Sequence, residues 1–203
     1  MDEIPEHVIE QCRKGSPAAF ADIVRRYERP LFAYVYRLGC TPASRDPEDV
    51  VQEIFIKAYR GIGRYKSRRD CSFSSWLFSI ARNHCVSLMR RMKLEHRVFR
   101  PLDAAAHAAC GGDSCPLELV SRKETARQVA EATAELPEAM KSAFLLRYYQ
   151  DMSYVQIAQV LECSIGTVRS RLARARNAIK NHLQESGNQT GGDANHAAGI
   201  NHL

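Results

Sequence analysis

The stretch from Ser153 to Leu183, SYVQIAQVLECSIGTVRSRLARARNAIKNHL, contains two helical periods separated by an abrupt break, and it constrains the fold more than any other part of the chain. Ser153 and Gln156 stand at capping-box spacing, which gives the first period a defined start. Ile157, Val160 and Leu161 then supply one apolar face. Glu162-Cys163-Ser164 interrupts the pattern, and Ser164 can cap a second helix. In that second period Val168, Leu172, Ala175, Ile179 and Leu183 recur at helical spacing, while Arg169, Arg171, Arg174, Arg176 and Lys180 cover the remaining surface with no acidic residue among them. Helix, break and basic helix together are the layout in which a second helix enters the DNA major groove. A basic, solvated helix packed in a bundle is the alternative.

The rest of the chain is predicted to be helical too. Ser16-Pro17 pairs an N-cap with a proline at the first helical position, where the missing N–H costs nothing. Phe20, Ile23, Val24, Tyr27, Leu31, Tyr34, Val35 and Leu38 mark an apolar stripe that Gly39 ends. Pro30 lies inside it and should kink or divide the helix. Asp46-Pro47 starts another helix, with Asp49 in its first turn and Val50, Val51, Ile54, Phe55, Ala58, Tyr59 and Ile62 on its buried side. From Phe73 a further helix buries Trp76, Leu77, Ile80, Ala81, His84 and Leu88. Its later part turns basic with Arg82, Arg90, Arg91 and Lys93.

Composition narrows the partners. The 203 residues carry a formal net charge of +6, which suits a polyanion but says nothing about fold. No run of about eighteen apolar residues exists, so no membrane insertion is expected. The acidic start, MDEIPEHVIE, lacks the regions of a signal peptide, and a cytoplasmic location is expected. Seven cysteines at irregular spacing fit reduced thiols better than a disulfide framework. His107, Cys110 and Cys115 cluster as H-x2-C-x4-C and are weak metal candidates, because zinc needs tetrahedral closure by a fourth ligand. The other reading is a linker with unrelated thiols. No phosphate loop, HExxH or supported nucleophile–base pair occurs, so neither catalysis nor a cofactor is expected. The basic helix with Phe73, Trp76, Asn83 and His84 near its start combines cations with planar groups, as unstacked nucleic acid requires. For Trp76 itself the apolar stripe favours a core position.

Two segments carry a resemblance. DPEDVVQEIFIKAYRGIGRY followed by SFSSWLFSIARNHCVSLMRR is similar to the second conserved region of bacterial sigma factors. LPEAMKSAFLLRYYQDMSYVQIAQVLECSIGTVRSRLARARNAI is similar to their fourth region. With no third domain between them, the chain resembles the extracytoplasmic-function group, its sigma-E type above all. The resemblance covers roughly residues 10 to 98 and 119 to 183. It implies an all-α fold of two small helical domains. Residues 1–98 would form the polymerase- and −10-binding region, 99–118 a flexible linker, 119–184 the −35-binding helix-turn-helix, and 185–203 a disordered tail.

The resemblance also implies a function: an alternative sigma factor of the stress-response kind, with core RNA polymerase, promoter DNA and an anti-sigma factor as partners. Asp49, Gln52 and Glu53 match positions that dock on a coiled coil of the largest polymerase subunit. Asn83 is the candidate base contact at the −10 element, with Arg82, Arg90 and Arg91 as phosphate partners. Arg169, Ser170 and Arg174 match groove-facing positions at the −35 element, and Arg171 and Arg176 fit phosphate or structural contacts. Ala173 stands where the sigma-E type often has a bulkier aromatic, which puts an identical −35 sequence in doubt. The competing reading is a stand-alone helix-turn-helix regulator that dimerises on a palindrome; it leaves DPEDVVQE unexplained.

Overall fold

The computed structural model describes the backbone of residues 3–42, 44–65, 72–98 and 116–192, and the side chains within those spans except at 95–98, 116–125 and 186–192. Every regular element among the described residues is helical. The N-terminal half comprises α1 (Glu6–Arg13), α2 (Pro17–Leu38), α3 (Pro47–Gly61) with a 3-10 turn at Ile62–Arg64, and α4 (Phe73–Val98). The C-terminal half comprises α5 (Pro116–Glu135), α6 (Glu138–Tyr148), α7 (Tyr154–Val160) and α8 (Ile165–Gly192).

Local chemistry sets the helix ends. Ser16 Oγ accepts from Ala19 N–H ahead of Pro17, and Gly39 closes α2 in the left-handed region at φ 69°. Only glycine reaches that conformation without a Cβ penalty. Pro30 neither divides α2 nor ends it; the helix runs through it unbroken. Asp46 stands at the N-cap of α3, yet its side chain makes no capping bond there. At the other end of the chain, α8 continues to Gly192, well into the stretch expected to be a tail from residue 185 onward.

Side chains at i, i+3 and i+4 then build the core. Ala19, Ile23, Tyr27, Leu31, Tyr34, Val35 and Leu38 are the buried face of α2, and Val50, Val51, Ile54, Phe55 and Ala58 that of α3. On α4, Phe73, Leu77, Phe78, Ala81, Cys85 and Leu88 are buried. Each large apolar side chain so covered contributes roughly 1.5–3 kcal/mol. Cys12, Cys40 and Cys85 are free and buried, behaving as small hydrophobes, and the hydrogen bond with Cys40, together with burial, raises the Cys85 thiol far above its usual range.

The two helical domains pack against each other, while residues 99–115, where the linker is expected, lie outside the described residues. One apolar cluster runs from α2, α3 and α4 into Ala143, Leu145 and Leu146 of α6, Ile157 and Val160 of α7, and Val168 and Leu172 of α8. A second, smaller cluster joins Ala132, Leu136, Phe144, Ala175 and Ile179 within the C-terminal half. Polar bonds line the seam. Tyr34 donates to Ser142 Oγ at 3.2 Å, and Ser142 donates to Glu138 at 3.0 Å. Gln150 donates to the Pro30 carbonyl, and Gln156 to Ser72 Oγ. The Arg37 guanidinium lies 4.3 Å from the centre of the Tyr149 ring.

Candidate nucleic-acid interface

The helix-turn-helix forms as its residues dictate. Ser153 and Gln156 exchange both capping-box bonds, at 3.2 and 2.9 Å. The turn passes through Glu162 at φ 50°, a left-handed position that lets Cys163 N–H return to the Ala158 carbonyl. Ser164 Oγ then accepts from Thr167 N–H at 3.1 Å and starts α8. Val168, Leu172, Ala175 and Ile179 turn inward. Arg169, Arg174 and Arg176 turn outward, are exposed, and have no carboxylate partner among the described residues.

Two of the sequence candidates act within this helix. Ser170 donates to the Thr167 carbonyl at 2.9 Å and accepts from Arg174 Nη2 at 3.3 Å, which steadies Arg174 across one turn. Arg171 leaves the exposed face: half-buried, it donates to Cys163 Sγ at 3.7 Å and covers the turn. Ala173 is half-buried and puts no large side chain between Arg169 and Arg176.

On α4, Asn83, Arg90 and Arg91 are exposed. Arg82 is half-buried; it donates to Asn83 Oδ1 at 3.2 Å, and its Nε lies 3.6 Å from Glu138 Oε1 of the C-terminal half. Phe73 and His84, which the sequence pattern groups with the nucleic-acid contacts, are both buried. Phe73 packs on Tyr27, Tyr65 and Trp76, and His84 faces α3, so neither ring offers a face to a base. Trp76 is partly buried against the core, as its place on the stripe implies.

The third surface is α3. Asp49 and Gln52 are exposed, whereas Glu53 is half-buried, accepting from Arg45 at 2.8 Å with His84 beside it. The acidic character of this patch is thus partly neutralised from within. Between these polar groups stands Ile56, 50 % exposed, with Tyr59, 44 % exposed, one turn on. Tyr59 was expected on the buried side; its ring instead packs edge-on against Phe20 at 4.9 Å near the rim. Ile56 escaped the sequence reading, although it lies four residues after Gln52 and shares its face.

No group of three or more potential metal ligands occurs among the described residues. His107, Cys110, Cys115 and Cys71 lie outside them. No described helix is long and apolar enough to cross a membrane.

Known proteins match both halves. Residues 23–94 match the family model for sigma-70 region 2, and residues 126–179 that for sigma-70 region 4. The RNA polymerase sigma-H factor of Pseudomonas aeruginosa is 35% identical over 191 residues, spanning 90% of this chain and 95% of that one. The ECF RNA polymerase sigma-E factor of Escherichia coli is 36% identical over 187 residues, spanning 87% and 93%. Among solved structures, CnrH bound to the cytosolic domain of CnrY aligns with a TM-score of 0.63 at 26% identity, covering 88% of this chain and 96% of that one. The sigma factor RpoE of Bartonella quintana, bound to the anti-sigma factor NepR, aligns at 0.66 with 25% identity, covering 81% and 96%. Two family regions in order, a helical fold that carries both, and relatives matched along nearly their whole length identify this chain as a member of the extracytoplasmic-function sigma factors of bacterial RNA polymerase.

Proposed function

We propose that this sigma factor directs polymerase to a two-element promoter through three surfaces. Asp49, Gln52 and Glu53 on α3, joined by Ile56 and Tyr59, meet core polymerase. Asn83 contacts a base of the −10 element while Arg82, Arg90 and Arg91 follow its backbone. Arg169, Ser170 and Arg174 read the −35 element, Arg176 meets phosphate, and Arg171 holds the turn. The observation that carries this reading is the outer face of α8, where three arginines stand exposed beyond a capped turn with no carboxylate partner among the described residues. Guanidinium groups so placed suit phosphate and the acceptor edge of guanine.

The protein contributes recognition, and the polymerase performs the chemistry. Its place of work is the cytoplasm. An anti-sigma protein as a second partner is supported by the sigma factor RpoE of Bartonella quintana, whose solved structure is a complex with the anti-sigma factor NepR. The α8 surface need not bind tightly alone, because docking on polymerase makes each promoter contact intramolecular.

Run-off transcription with core polymerase on genomic fragments tests the proposal. Discrete transcripts that need both this protein and core polymerase are the expected result. Tight binding to a palindromic duplex without polymerase, and no transcript with it, would instead establish a stand-alone regulator.

A further inference from the structure

A chain of side chains joins α3 to α4 that neither the apolar core nor the DNA-facing surface requires. His84 follows Asn83 on α4 and is only 7 % exposed. Its Nε2 lies 3.0 Å from Glu53 Oε2, off the line of a straight hydrogen bond, and its Nδ1 lies 2.5 Å from Lys57 Nζ. Glu53 Oε1 accepts from Arg45 at 2.8 Å. Glu53 and Lys57 are one turn apart on α3, so a single imidazole touches both.

The protons follow from the partners. An ammonium group only donates, so Nδ1 is the acceptor and the neutral ring carries its proton on Nε2, toward the carboxylate. Burial and the Lys57 charge hold the ring below the ordinary histidine pKa, against the opposing pull of Glu53, and Arg45 adds to the lowering. Lys57 and Glu53 of α3 and Arg45 of the preceding loop are the charged groups that face it. Glu53 is therefore approached from two sides, bonded by Arg45 at its outer edge and faced by the His84 ring from beneath.

We propose that His84 is a positioning residue for polymerase docking: it holds the Glu53 carboxylate in its bound orientation on the exposed face of α3. A free glutamate loses rotamer freedom when it meets a partner, and a glutamate already ordered does not. The proposal rests on the reading of α3 as the docking helix. A histidine that merely filled the space between two helices would leave Glu53 and its partner indifferent to the ring's chemistry.

A double-mutant cycle on the full-length protein decides between these roles. The affinity of labelled protein for core polymerase is measured by fluorescence titration for wild type, Glu53→Ala, His84→Leu, the double variant and His84→Gln, with thermal melts to verify folding. Asp49→Ala and Gln52→Ala report on the docking helix itself. Glu53→Ala is expected to weaken binding about tenfold and His84→Leu about three- to tenfold, while the double variant stays within about twofold of Glu53→Ala, because His84 acts only through Glu53. His84→Gln, whose amide can donate from the place of Nε2, is expected to remain within about twofold of wild type. Losses that multiply in the double variant, His84→Leu binding like wild type, or His84→Gln as weak as His84→Leu would overturn the positioning role. Wild-type affinity in Asp49→Ala, Gln52→Ala and Glu53→Ala alike would overturn the docking helix, and the proposal with it.

Discussion

The docking of the two halves makes a sharp thermodynamic prediction at Tyr34 and Ser142, which are 108 residues apart in sequence. Ser142 is fully buried, and Tyr34 is 1 % exposed. Burial also raises the Tyr34 hydroxyl far above its usual pKa, so it remains a donor throughout the neutral range. Ser142→Ala leaves that hydroxyl buried without its acceptor and should cost about 1–3 kcal/mol. Tyr34→Phe removes the donor, while Ser142 keeps its bond to Glu138, so the loss should be about 0.5–1.5 kcal/mol. In the double variant no hydroxyl is orphaned. Its loss should fall short of the sum of the single losses by about 1 kcal/mol. Urea unfolding supplies all four stabilities. The chain has one tryptophan, Trp76 in the N-terminal half, so fluorescence follows that half while circular dichroism follows both. Coincident transitions are expected, since one apolar cluster spans the seam. Single losses that add to within about 0.3–0.5 kcal/mol would show that the two residues do not meet in solution.

Other outcomes can be checked in parallel. Arg174→Ala should cost about 1–3 kcal/mol of −35 discrimination, whereas Arg176→Ala should weaken matched and scrambled elements alike and reduce the salt slope of binding by about 1; equal losses on both DNAs for Arg174→Ala would refute its assignment. Glu138→Gln releases Arg82 from a partly exposed ion pair of about 0.2–1 kcal/mol, so holoenzyme should bind a single-stranded −10 oligonucleotide more tightly, by about fivefold at most; no gain would mean that Arg82 meets no phosphate. Glu162 is exposed and holds φ 50°, so Glu162→Gly should stabilise the protein by about 0.5–1 kcal/mol, read as a rise in melting temperature. His84 has a lowered pKa in the folded chain, so between that value and about 6.5 the unfolded chain binds more protons. Its contribution to stability is complete above about pH 6.5 and declines as pH falls toward the folded-state value. His84→Gln should flatten that part of the stability–pH profile.

Much of this was legible because it is local. Capping at Ser16, Ser153 and Ser164 depends on residues three positions apart, and the apolar stripes of α2, α3 and α8 depend on spacings of three and four. The exposed arginines of α8 follow by subtraction once its inner face is known. Arg171 did not follow, because its exit from the outer face depends on Cys163 across the turn. Tyr59 was misplaced for a related reason: at the rim of the bundle, periodicity cannot say where the neighbouring helix stops, and Phe20 covers only one edge of the ring.

The sequence by itself determined the helices, their starts at Ser16, Ser153 and Ser164, the helix-turn-helix and the two-region order, and the local part of this arises from interactions within a turn or two of chain. Only the tertiary structure decided that the halves share a core, that Arg82 faces Glu138, and that Glu53 lies between Arg45 and His84. Those pairings join residues far apart in sequence, where no period links them. They exist because buried apolar faces of α2 and α4 are covered by α6 and α7, and the polar groups carried into that seam must find partners there.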